Sequence, residues 1–115
     1  MNGKLIVQDI SSQLFADTTV DSISFKSMYK NGRLIEVNFI VSINTALSNG
    51  SAIFGGLPKP LSSGGERFNC VASNSGIHTP IEFYYSNGYL AAFYPQTGIT
   101  GNGSVITGHF TYISE

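Results

Sequence analysis

The side chains best suited to chemistry in this chain are aromatic and neutral. Tyr84, Tyr89 and Phe93 fall on one face of a two-stranded segment, flanked by Glu82 and Asn87, with His78 shortly before them. Aromatic rings beside Asn, Ser and Glu can stack on sugar rings and hydrogen-bond their hydroxyls. The same composition suits a subunit interface, where Tyr and Phe are enriched. A short, charge-poor chain without disulfides favours the interface reading of that face. Loops at 62–66, 74–78 and 96–103 are alternative contact sites.

Reaction chemistry finds less support. His78 and His109 fall on separate expected strands, and Cys70 has no ligand-type neighbour in sequence, so no metal site and no cofactor are expected. No serine lies in a Gly-x-Ser-x-Gly elbow. Glu36 and Glu82 are mid-strand acids, and strand alternation explains both as solvent-facing. Gly55-Gly56 is too short for a phosphate cradle, and the prolines that follow forbid the helix such a loop needs. The expectation is a binding or structural module with no catalytic residues.

Bulk properties narrow the class. The 115 residues fit one domain. Only 11% are charged, against about 25% in an average domain, and Ser, Thr, Asn and Gly fill the gap. A neutral polar surface suits a protein that packs against its own copies. The net charge of −1 leaves no electrostatic footprint for nucleic acid. The lone Cys70 excludes an internal disulfide. No stretch approaches the ~20 apolar residues of a membrane helix, and the first residues lack a secretory pattern. The protein is expected to act in the cytoplasm or to leave the cell by assembly or lysis.

The elements that must position these residues are strands. Ile35, Val37, Phe39, Val41 and Ile43 alternate with Leu34, Glu36, Asn38, Ile40 and Ser42, so one side of a strand over 34–43 is buried. An Asn31-Gly32 turn pairs Met28 with Ile35, Lys26 with Val37 and Tyr29 with Leu34. The preceding strand, 22–30, then puts Ile23, Phe25 and Tyr29 on the face away from the Ile35 row. Either a bulge resolves the conflict, or a second subunit covers Ile23, Phe25, Tyr29, Leu34 and Ile40. A second hairpin turns at Asn87-Gly88 and pairs Tyr85 with Leu90, Phe83 with Ala92 and Ile81 with Tyr94. Further strands are expected at 4–7, 51–54, 67–73 and 105–113, with one helical turn within 11–16. Leu57-Pro58-Lys59-Pro60 is a rigid corner that ends a strand. Residues 1–21 read as a leader that packs on the domain or links to a partner, and 22–115 as the domain itself. Seven or eight short strands with regular turns argue for an all-β antiparallel sandwich or barrel.

The order of these elements resembles the C-terminal head, or receptor-binding, domains of phage tail fibre and baseplate proteins. The residues that carry the likeness are Tyr29-Lys30-Asn31-Gly32, Ile35 to Ile43, Ile53-Phe54-Gly55-Gly56-Leu57-Pro58, Ser86-Asn87-Gly88-Tyr89 and Gly108-His109-Phe110-Thr111-Tyr112. The resemblance covers about residues 22–113 and is a pattern of elements without a signature motif. It implies a jelly-roll-like β-sandwich that trimerises, binds a host cell-surface glycan and sits on a virion among other tail proteins. Its alternative implication, ranked second, is a structural virion, decoration or head-fibre subunit without glycan binding. No coiled coil or shaft is visible in the chain, and no sugar-contacting residue can be carried over.

Overall fold

In a computed structural model, residues 7–62, 66–95 and 103–115 are described. The start of the strand expected at 4–7, and most of the loops at 62–66 and 96–103, lie outside those residues. Nine strands follow in order: β1 (Val7–Asp9), β2 (Phe15–Ala16), β3 (Val20–Asn31), β4 (Leu34–Ile43), β5 (Ala52–Gly55), β6 (Arg67–Asn74), β7 (Ile77–Ser86), β8 (Tyr89–Ala92) and β9 (Ser104–Ile113). All pair antiparallel in a single sheet of order β1-β3-β4-β9-β6-β7-β8-β5-β2. The fold is all-β, as expected, but the sandwich is one sheet curled over on itself.

The curl follows from the position of the N-terminal segment. A flat sheet of nine strands would be about 38 Å wide at the usual inter-strand spacing. Its two edges, β1 and β2, are joined by residues 10–14 alone, a link that reaches about 20 Å fully extended. The edges must therefore approach each other. Across the gap the Thr19 hydroxyl donates to the Ala52 carbonyl (2.5 Å), while Asp17 N–H to the Ile53 carbonyl (2.9 Å) extends the β2–β5 pairing and Asn44 N–H to the Thr19 carbonyl (2.9 Å) extends the β3–β4 pairing. The expected helical turn is a short 3-10 turn, Ser11–Gln13, and Phe15–Ala16 adopts strand instead. Leu14, between them, is fully buried and plugs the core where the edges meet.

Alternation fills the interior. On β4 the whole odd row, Ile35 to Ile43, is buried. Phe68, Cys70 and Ala72 of β6, Ile81 and Phe83 of β7, and Ile106, Phe110 and Tyr112 of β9 complete one cluster. Each large side chain removed from water there contributes roughly 1.5–3 kcal/mol. Phe68 stacks on Phe110 at 4.1 Å between centroids, and Phe39 meets Phe54 edge-on at 5.2 Å.

The β3–β4 register corrects the expected one. Asn31 pairs with Leu34, Tyr29 with Glu36, Met28 with Val37 and Lys26 with Phe39, so the turn is Gly32-Arg33. Gly32 has φ of +62° and Arg33 is not on the positive side, the sign pattern of a II′ turn. The physical reason is parity. Shifting a hairpin by two residues in the sum of paired numbers keeps Met28 on the core face, so the hydrophobic pattern accepts both registers. Asn31 is then taken by β1, where it pairs with Val7. Bulges interrupt β3 between Val20 and Ser22 and between Ile23 and Phe25. They do not bring Ile23, Phe25 or Tyr29 into the core, since all three are exposed.

The β7–β8 hairpin pairs Tyr85 with Leu90 and Phe83 with Ala92 through a turn at Asn87-Gly88, as expected. The Ile81–Tyr94 pair does not form, because β8 stops at Ala92. A hairpin at Ser75-Gly76, with φ of 52° and 80°, turns the segment expected as a 74–78 loop into the start of β7. Pro80 is tolerated inside β7 because β8 ends opposite Phe83, leaving β6 as its sole neighbour there. The proline corner ends β5 as expected. Leu57 is buried, the Pro58 carbonyl accepts the Tyr112 hydroxyl (2.7 Å), and Pro60 bridges Ser114.

Candidate functional site

The aromatic site is built on the outward face of β6, β7 and β8. Strand register sets Arg67 opposite Tyr84 and Asn69 opposite Glu82, and Tyr84 opposite Ala91. Phe93 follows β8, its N–H donating to the Glu82 carbonyl (2.9 Å). Its ring meets Tyr84 edge-on at 5.9 Å and Tyr94 edge-on at 4.9 Å. The Arg67 guanidinium lies 4.0 Å above the Phe93 ring and 5.9 Å from the Tyr84 ring. A cation over an aromatic face at an exposed site contributes about 0.5–1 kcal/mol. Beside this stack runs a groove of about 250 Å³ lined by Asn69, Pro80, Ile81, Glu82, Phe93, Tyr94 and Pro95. It combines aromatic walls with a carboxylate and an amide, the mixture that grips a sugar or a peptide edge.

Tyr94 has φ of +43°, a left-handed backbone that costs a residue with a side chain roughly 1–2 kcal/mol. Its N–H donates to the Asn49 side-chain oxygen (3.0 Å). Asn49 sits in the connection between β4 and β5, which is tied to the end of β8 by Gly50 N–H to the Ala92 carbonyl (2.8 Å) and Ala92 N–H to the Ser51 carbonyl (2.7 Å).

The residues proposed from sequence divide into three places. Glu82 and Phe93 line the groove, and Tyr84 stands beside it against the Phe93 ring. Tyr89 and Asn87 sit at the hairpin tip, where Tyr89 meets Phe15 edge-on at 5.9 Å. His78 lies two residues before Pro80 on β7, outside the residues that line the groove, and its Nδ1 bonds the Ser73 hydroxyl (2.7 Å). Arg67, Asn69 and Tyr94 were not foreseen. The Ser75-Gly76 turn was the available signal, since a two-residue register from it sets Arg67 opposite Tyr84.

The proposed interface residues share the opposite half of the outer surface. Phe25, Tyr29, Leu34 and Ile40 are exposed there, and Ile23 is exposed at the β3 bulge. Val7 and Ile113 extend this apolar face, and a hollow of about 160 Å³ is lined by Val7, Tyr29, Asn31, Leu34, Glu36 and Thr111. Among the described residues nothing covers this face.

The remaining candidates for chemistry are dispersed. Glu36 on β4 and Glu82 on β7 are separated by β9 and β6, about 14 Å by sheet spacing, so they do not flank one bond. Among the described residues no three metal-ligand side chains cluster. Burial pushes the Cys70 thiol up to about 12, so it stays protonated and unreactive at neutral pH. Hydrogen bonds from the Ser11 hydroxyl, then from the Ser11 backbone N–H, hold the exposed Asp9 carboxyl below its usual value. His109 bonds Asn38 on the outer face. No helix among the described residues is long and apolar enough to cross a membrane. No model of a known protein family matches the chain, and no curated protein matches it.

Proposed function

We propose that the chain is a non-enzymatic binding module that recognises a carbohydrate through the groove at Glu82, Phe93 and Tyr94. In the fuller form of this reading it is the receptor-binding head of a phage or prophage tail, jelly-roll-like and homotrimeric, carried on the virion and directed at a host surface glycan. The observation that carries the binding part is the Arg67–Phe93–Tyr84–Tyr94 stack beside a carboxylate and an amide, with Phe93 and Tyr84 half-buried and Tyr94 and Arg67 exposed. Rings held at an open surface serve a ligand better than they serve a core. The phage context rests on the resemblance of the sequence pattern. A glycan array is the test. The native protein should bind a family of related glycans, and Phe93→Ala should lower the signal by about tenfold, the loss of a desolvated aromatic contact. An array without any hit removes the carbohydrate reading.

A second reading is a structural virion or decoration subunit without glycan binding. The apolar outer face at Phe25, Tyr29, Leu34 and Ile40 favours it. Specific attachment to assembled particles, together with an empty array, would select this reading.

A further inference from the structure

We infer that Tyr94 is the stacking platform of the groove and that Asn49 is the residue that positions it, an inference that rests on the groove being a glycan site. Tyr94 combines two features that rarely coexist. Its backbone is left-handed, where a bulky side chain is strained. The residue is nevertheless 71% exposed, so burial of its side chain does little to offset the strain. Strain held at an open cleft by surrounding contacts is the mark of a preorganised functional position.

Those contacts are specific. The Asn49 side-chain oxygen accepts the Tyr94 N–H (3.0 Å), and the Tyr94 ring stands edge-on against Phe93. Asn49 is itself on a fixed turn. Ser51 N–H donates to the Ser48 carbonyl (3.0 Å), Ser48 N–H donates to the Ser51 hydroxyl (3.0 Å), and Gly50 takes φ of +89°. The turn, Asn49 and the Tyr94 backbone therefore aim one ring along the groove without any closing motion. The groove has room for a single ring. A pyranose laid with its apolar face on Tyr94 leaves its hydroxyls for the Glu82 carboxylate and the Asn69 amide on the facing strands. The ligand class is a pyranose unit with one unsubstituted apolar face.

The test is an NMR titration of the isotope-labelled chain with methyl glucoside, methyl galactoside, methyl mannoside and methyl N-acetylglucosaminide. At least one should shift the Tyr94 and Glu82 resonances. Tyr94→Phe should bind like the native chain, and Tyr94→Ala about tenfold more weakly. Asn49→Ala should weaken binding by about three- to tenfold, the loss of one hydrogen bond. Asn49→Asp, which keeps the acceptor, should restore it, and Asn49→Ala should cost nothing further in the Tyr94→Ala background. Binding in which Asn49→Ala matches the native chain overturns the positioning role. Binding whose shifts avoid Tyr94 overturns the platform. A native chain that none of the four sugars perturbs overturns this inference, while the glycan array decides the wider carbohydrate reading. Both side chains are exposed, so the Tyr94 variants should keep the native thermal midpoint, and Asn49→Ala should lower it by no more than the loss of one hydrogen bond does. Should Asn49→Ala unfold, the Tyr94→Phe and Tyr94→Ala pair decides the platform and the Asn49→Asp titration decides the positioning.

Discussion

Gly108 faces inward on β9 beneath the Phe39 ring. A Cβ there would sit 2.4 Å from two ring carbons and 2.9 Å from the Cys70 sulfur. Phe39 is fully buried, so its ring has little room to retreat. Gly108→Ala is expected to destabilise the fold by about 1–3 kcal/mol, the usual cost of overpacking. Urea unfolding checks this: the midpoint should fall with the slope unchanged, and an unaltered midpoint would mean that Phe39 can swing aside. The contact also explains why Cys70 is unreactive, since the same packing that crowds Gly108 covers the thiol. Ionisation of Cys70 acts on stability with a definite sign. Below pH 9 the thiol is neutral folded and unfolded. Above it the unfolded thiol ionises first, so the contribution is lost as pH rises toward the folded value of about 12.

At the scale of elements, strand alternation was legible and pairing was only partly so. Leu34 to Ile43 and the Asn87-Gly88 hairpin could be read directly, because period-two hydrophobicity and an Asn-Gly turn point the same way. The β3–β4 register could not, because two registers of equal parity satisfy the same apolar row. The choice fell to a contact remote in sequence, β1 on Asn31. This yields a discriminating prediction. Gly32→Ala should cost about 1–2 kcal/mol, because a side chain at its positive φ is strained. Asn31→Ala should cost clearly less, since Asn31 is in strand and outside the turn. Thermal unfolding of the two variants measures it, and the reverse order would restore the Asn31-Gly32 turn. The candidate site was half legible for the same reason. Tyr84, Glu82 and Phe93 follow from alternation on one hairpin. Arg67 needs the Ser75-Gly76 register, and Tyr94 needs a break in β8 that alternation does not announce. His78 shares the face but lies beyond the groove-lining residues, because sharing a face does not fix distance along a ten-residue strand.

For the whole molecule, the curled sheet presents two unlike outer regions. One holds the ring stack and groove on β6–β8, and the other holds the uncovered apolar residues on β1, β3, β4 and β9. In the trimeric reading the second region meets its copies and leaves the first free. Static light scattering at micromolar concentration should then give three times the 12.3 kDa chain mass. Phe25→Ser with Ile40→Ser should shift it toward one chain mass without changing the fold, because both side chains are exposed. A clean monomer for the unaltered chain would remove the trimer and assign that face to another partner.

The N-terminal segment that bridges both sheet edges also carries a schedule. During synthesis residues 7–16 emerge before any strand they pair with. β1 can dock once β3 has been made, but β2 must wait for Gly55 and Phe54. The central β4–β9 pairing waits longer still, until Ile113 has left the ribosome. The earliest residues of the described chain thus wait on partners made later, and the apolar row of β4 stays open until β9 has been made. Such late closure of distant strands is the slow route to a native sheet. Until β9 emerges, a nascent chain of this kind is exposed to chaperones and to its own copies.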